Sequence, residues 1–239
     1  MINIVIPIAG ENTFFQELAF PVPLMEINGK TIIEHLMENY ASIEDKQFIF
    51  ILKECDTRKF YLDESLKRLD DTCKIITIAN ETKGAACSVM LASEYINNDT
   101  PLIIANINQL FDINLKNVVE HFSHFDAGVI TFTSIHPKYS YAKANAENNV
   151  IQVAEKQPIS KNAIAGFFYF AKGRDFIKAS ENMIKKDVNY GGQYFVAPVL
   201  NELILQNKNV TLFSIDKSAY HIFYSLEKIR EYERTQNNA

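Results

Sequence analysis

Apolar side chains enter this chain in short β-branched blocks, and the stretches between blocks repeat them every three or four positions. Ile2–Ala9 (INIVIPIA) is the first block, closed by Gly10. An unbroken apolar run of this kind predicts a strand buried on both faces, and Pro7, with no N–H to donate, predicts weaker pairing towards its end. Residues 10–30 carry Pro21, Pro23 and Gly29 and read as a long loop. Ile32, Ile33, Leu36 and Met37 then share one face of a helix over Thr31–Tyr40. Gln47–Leu52 (QFIFIL) is a second strand, and Asp56 is placed to cap a helix running to Leu69. Lys74–Ile78 is a third strand. Gly84 opens a small-residue helix, GAACSVMLASEYI. Pro101–Ala105 is a fourth strand, and Asp112 is placed to cap a helix reaching about Phe125.

The rhythm changes after that helix. Ala127–Ser134, Val150–Glu155 and Ala163–Phe170 read as strands joined by loops, helices follow at about 174–186 and 193–206, and two late strands, Val210–Ile215 and Tyr220–Tyr224, precede a charged helix from Leu226. Strands and helices that alternate through the first half predict a doubly wound, mostly parallel sheet, with the second half as a mixed-sheet extension. No linker, low-complexity segment or internal repeat divides the chain, so one domain over 1–239 is expected, with lobes of about 1–125 and 126–239.

Composition narrows the partners. With 239 residues, 47% hydrophobic and 22% charged, the chain can bury a sizeable core. A net charge of -5 argues against a nucleic-acid partner, which would need a basic patch. Cys55, Cys73 and Cys87 are an odd, widely spaced set without a CxxC, as in reduced thiols. INIVIPIA has no basic segment before it, and no apolar run approaches the roughly 18 residues that span a bilayer, so a cytoplasmic protein without a membrane partner is expected.

In a doubly wound sheet, ligands bind beyond the carboxyl ends of the strands. The loop after Ala9, the helix start at Gly84, the stretch after Ala105 and the Glu155–Lys156 pair should therefore face one crevice. In IANINQLFD (104–112) an apolar strand delivers Asn106, Asn108 and Gln109 to that crevice, but no carboxylate before Asp112. Each piece has a plainer reading too. Gly10 suits any strand-ending turn, Gly84-Ala85-Ala86 suits tight helix packing, Glu155–Lys156 suits a solvated pair, and Lys30 in NGK suits a turn. His121 and His124 stand i, i+3 on a helix without a carboxylate or Cys to complete a metal set.

Taken in order, VIPIAGENTFFQELAFPVPLMEINGKTIIEHLMENY, TKGAACSVMLASEYI, PLIIANINQLFD, VIQVAEKQPIS, AIAGFFYF and NYGGQYFVAPVLNELI resemble the sugar-phosphate nucleotidyltransferases, almost end to end. The resemblance implies a Rossmann-like, three-layer α/β fold (GT-A-like) with a mixed, mostly parallel central sheet. It implies a nucleotide lobe followed by an acceptor lobe. It also implies a reaction in which a sugar phosphate or similar phosphomonoester attacks the α-phosphate of a nucleoside triphosphate and releases pyrophosphate, in surface-polysaccharide precursor synthesis. Ala9, Gly10, Glu11, Thr82, Gly84, Ala85 and Asn106 fall at its nucleotide-binding positions. Glu155, Lys156 and Gly166 fall at its acceptor positions, Lys156 with a catalytic role. Asn108 stands at the catalytic, Mg²⁺-binding Asp, and His221 at the second metal carboxylate. The expected phosphate-binding Gly, Arg and Lys are replaced by Asn12, Phe14 and Val22, and Phe14, Phe15 and Phe20 are candidates to fill the triphosphate space. Three readings follow: an active transferase, a nucleotide- or sugar-binding protein or partner subunit that has lost turnover, and a purely structural protein. All leave room for a homo-oligomer.

Overall fold

The computed structural model describes residues 1–10 and 20–237. In the first half, the strands are β1 (Ile2–Pro7), β2 (Glu26–Ile27), β3 (Lys30–Thr31), β4 (Lys46–Lys53), β5 (Lys74–Ile78), β6 (Leu102–Ala105) and β7 (Gln109–Phe111). The helices among them are α1 (Ile32–Asn39), α2 (Glu54–Phe60), α3 (Leu62–Leu69), α4 (Ala85–Met90), α5 (Ser93–Ile96) and α6 (Leu115–Phe122). The second half adds β8 (Ala127–Thr133), β9 (Tyr141–Ala144), β10 (Val150–Ala154), β11 (Asn162–Phe170), β12 (Val210–Ser214) and β13 (Tyr220–Ile222), with α7 (Gly173–Lys185), α8 (Val199–Ile204) and α9 (Leu226–Asn237).

One nine-stranded sheet joins both halves. β5, β4, β1 and β6 pair in parallel, β11 runs antiparallel between β6 and β8, and β12 lies parallel along β8. Most strands therefore point one way, as a mixed, mostly parallel sheet requires. The antiparallel β9–β10 hairpin joins β11 beside the end of β6. Alternation along β1 sends Ile4 and Ile6 to one face and Val5 to the other, and each face carries its own buried cluster. Phe132, Phe167, Tyr220 and Phe223 belong with Ile4, while Ala9, Ala86, Phe168 and Val196 belong with Val5. No helix among the described residues is long and apolar enough to cross a membrane.

Several predicted boundaries move, each for a local reason. The helix expected over 56–69 breaks at Tyr61 (φ +52), so that Leu62 and Leu66 of α3 are buried while no residue of α2 is. Asp56 does not cap it but stands with Glu54 in the first turn of α2, where a carboxylate suits the helix dipole. Asp112 does not cap α6. Its N–H donates to the Ala219 carbonyl (2.9 Å), and the Asn114 side chain caps instead, accepting from the Lys116 N–H at 2.9 Å. The small-residue helix divides into α4 and α5, and the helix expected from 193 begins only after Pro198. β9 went unforeseen because YAKA carries too little apolar surface to register as a strand.

Candidate active-site crevice

β1 and β6 run side by side in parallel, with Val5 opposite Ile104, so Ala9, Gly10 and Asn106 all follow the carboxyl ends of these two strands. Ala9 is buried and Gly10 exposed, and among the described residues nothing lies within 4 Å of where a Cβ would stand at Gly10. Glu11, Asn12, Phe14 and Phe15 lie outside the described residues. Phe20 meets the Phe60 ring edge-on at 5.4 Å, and Val22 is buried in the core. Lys30 follows the Asn28-Gly29 turn, both residues at positive φ, and its ammonium pairs with Glu38 at 2.6 Å. Lys30 thus opens β3 directly after that turn, its charge turned to Glu38.

Gly166 sits in an irregularity of β11 between Ile164 and Phe168, where the register with β8 shifts. Its φ is +71, and a Cβ there would lie 2.2 Å from Gln109 Oε1 and 2.4 Å from Asn106 Nδ2. Only glycine leaves room for two amides of the IANINQLFD stretch to stand against this strand. Gln109 donates from Nε2 to the Tyr220 hydroxyl (2.9 Å), and its buried Oε1 has no partner among the described residues.

Gly84 adopts φ 108 and ψ 170 and immediately precedes α4. A Cβ there would stand 2.5 Å from the Tyr194 carbonyl oxygen. The close approach that glycine permits here is therefore to main chain. The Tyr194 N–H donates to the Lys83 carbonyl (2.7 Å), and its own carbonyl accepts from the Ala86 N–H (3.0 Å). Thr82 donates from its hydroxyl to the Gly84 carbonyl (3.0 Å) and lies 2.6 Å from the Ser88 hydroxyl. Ala85 begins α4, which packs against β1.

The Glu155–Lys156 pair connects to the start of α4 through residues 187–195. Lys156, with φ +52, holds its ammonium 5.0 Å from the Tyr190 ring centroid and 4.9 Å from that of Phe195. Beside it, Glu155 accepts a hydrogen bond from the Ser140 hydroxyl (2.5 Å). Burial pushes the Glu155 carboxyl above its ordinary range, against the opposing pull of Ser140 and Lys156. Hydrogen bonds from Tyr194 (2.6 Å) and Asn189 hold the Asp187 carboxyl below its usual value and pin this segment. The 187–195 segment thus bonds to Lys83 and Ala86 through main chain and to Lys156 through rings. Tyr190, Tyr194 and Phe195 were not singled out from sequence. The aromatic–glycine run NYGGQYF was the available signal, but its partners are distant in the chain.

The two proposed metal positions part company. Asn108 donates from Nδ2 to the Phe223 carbonyl (3.0 Å) and accepts the Phe223 N–H at its own carbonyl (2.9 Å). The β7–β13 register sets His221 opposite Leu110, and its Nε2 lies 2.7 Å from Asp112 Oδ2. Mg²⁺ demands oxygen ligands, chiefly carboxylates and water. Here one position offers an amide bonded to main chain and the other an imidazole bonded to an acid. Among the described residues, no group of three or more His, Cys, Asp or Glu could hold a metal ion. The expected Mg²⁺ does not fit this pair.

Residues 18–211 match the family described as "Nucleotidyl transferase". The chain is 22% identical over 218 residues to the bifunctional protein GlmU of Buchnera aphidicola subsp. Schizaphis graminum, covering 87% of this chain and 45% of that one. It is 26% identical to the GlmU of Staphylococcus saprophyticus over 84% and 45%. The chain thus spans less than half the length of these curated relatives. Among solved structures, a nucleoside-diphosphate-sugar pyrophosphorylase from Vibrio cholerae RC9 superposes with a TM-score of 0.84 at 24% identity, over 97% of this chain and 99% of that one. An inositol-1-phosphate CTP transferase from T. maritima gives 0.74 at 14%, over 98% and 94%. At these identities the structures share the fold.

Proposed function

The chain belongs to the nucleotidyl transferase family, and from that premise we propose that it binds a nucleotide and a phosphorylated sugar, or similar phosphomonoester, in the crevice, while triphosphate turnover is weak or absent. The Asn108 clasp on Phe223 carries this reading. Charge developing at an α-phosphate needs a cation or preorganised donors, and removal of one such donor typically costs about 10²–10³ in rate. At the position that should supply a metal carboxylate stands a neutral amide, oriented by its Nδ2 bond to the Phe223 carbonyl. Ala9, Gly10, Thr82, Gly84, Ala85 and Asn106 form the nucleotide side in this reading, and Glu155, Lys156 and Gly166 the acceptor side. A nucleotide base or ribose would lie against the opening of α4, and the Lys156 ammonium would face the phosphate of the acceptor.

A second reading, active transfer to a sugar phosphate to make a precursor for surface polysaccharide, is favoured by the acceptor side. Lys156 is already oriented between two rings, with Glu155 beside it. One assay separates the two. The protein is incubated with each nucleoside triphosphate, Mg²⁺ and a panel of sugar 1-phosphates while pyrophosphate is measured. Rapid release with any pair overturns the first reading. Thermal shifts with the same ligands test binding, and no shift with any of them overturns both.

A further inference from the structure

A cavity of about 360 Å³ opens between the loop that follows β8 and the corner between β13 and α9. That volume lies near the lower end of small-molecule sites, roughly 300–1,000 Å³. Phe132, Tyr139, Tyr220 and Tyr224 supply flat walls, and Lys138, Lys217 and Lys228 supply positive charge. Glu231 is the one acidic residue among the described residues that line it, and it pairs with Lys228. The Lys138 ammonium stands 4.2 Å from the Tyr224 ring centroid and 4.9 Å from that of Tyr139. Among the described residues neither Lys138 nor Lys217 has a carboxylate within ion-pair distance.

The cavity meets the crevice at β13, where His221 and Phe223 line it, and lies away from the Gly84 and Lys156 side. Its walls Phe132, Tyr220 and Phe223 join the buried cluster of Ile4 and Ile6, whereas Ala9, Ala86 and Val196 join the cluster on the other face of the sheet. Two lysines without acidic partners, set among aromatic rings, fit an anion with a flat body. The ammonium groups would meet the anion by charge-assisted hydrogen bonds, and the rings would cover the body. We propose that this cavity is a second binding site, for a small molecule that joins a ring to a phosphate or carboxylate. The assignment adjoins the crevice at His221 and Phe223 but rests on Lys138, Lys217 and the rings around them, none of which the crevice reading uses.

Isothermal titration of the full chain with phenyl phosphate, benzoate and inorganic phosphate tests it. Phenyl phosphate or benzoate should bind at least about tenfold more tightly than inorganic phosphate, since the rings contribute only when there is a body to cover. Which of the two binds distinguishes phosphate from carboxylate. Joint Lys138→Gln and Lys217→Gln substitution should weaken that binding by about tenfold or more, the usual scale for lost hydrogen bonds to a charged group, with an unchanged circular dichroism spectrum. Lys156→Gln should leave it unchanged. No heat with any probe overturns the proposal, as does loss on Lys156→Gln with retention in the double variant. Equal affinity for inorganic phosphate and the ring compounds removes the aromatic walls from the site and overturns it as stated.

Discussion

Replacing Gly84 with Ala asks whether that glycine serves a ligand or the fold. Its φ of 108 and ψ of 170 lie in a region open essentially to glycine, so any side chain costs about 1–3 kcal/mol there. The added Cβ would also stand 2.5 Å from the Tyr194 carbonyl oxygen and 2.7 Å from its nitrogen. Both are main-chain atoms that cannot rotate aside. Tyr194 must withdraw and give up its hydrogen bonds to Lys83 and Ala86, worth roughly 1 kcal/mol each. The sum, about 3–5 kcal/mol, is a large share of the stability of an ordinary domain. For a chain of this size it corresponds to a fall in melting temperature of roughly 6–20 °C. Melting followed by circular dichroism, without ligand, measures the global cost. If residues 187–195 instead lift away locally, the melt falls less and limited proteolysis cuts within that segment. A Gly84→Ala protein with both the wild-type melt and the wild-type resistance to protease would refute the packing argument.

Gly166→Ala should cost less, about 1–3 kcal/mol, because the atoms it meets are the ends of the Gln109 and Asn106 side chains; a urea midpoint equal to wild type would contradict this. Asn108→Asp places a carboxylate against the Phe223 carbonyl where an N–H now donates, so stability at pH 7 should fall by about 1–3 kcal/mol and recover as acid protonates the new side chain. An equal or higher melting temperature at neutral pH would show that the clasp does not hold Asn108. Glu155 has a folded pKa above its ordinary 4.5 because of burial, so its contribution, relative to Glu155→Gln, is fully present below pH 4.5. It is lost as pH rises through the folded value. Urea midpoints of both proteins at pH 4 and pH 7 should shift in the variant's favour at pH 7, and a gap independent of pH would contradict the burial argument.

The apolar blocks of β1, β4 and β6 were legible because each is buried on both faces and so needs no alternation to betray it. β7 was hidden inside IANINQLFD, since three residues paired with a strand more than a hundred positions away leave no local signature. Residues at the crevice could be gathered from the rule that ligands meet strand ends, but not their bonds. Gly84 was read both as a ligand contact and as packing, and the partner that gives the packing reading its substance, Tyr194, is remote in sequence. Lys156 is marked in the sequence by the Glu155–Lys156 element, but nothing local announces that its ammonium stands over the rings of Tyr190 and Phe195. Charge can be counted along a chain, whereas the rings that a cation faces are set by topology.

The clasp between Asn108 and Phe223 also limits what position 108 can carry. Its acceptor is a main-chain carbonyl, so no substitution at 223 can take it away; only a shift of β13 against β7 could. A single change of Asn108 to a carboxylate would meet that carbonyl's repulsion at once. An acid at 108 is therefore uphill on packing alone, whatever it would add to ligand binding, and the amide is the side chain that the β7–β13 corner favours.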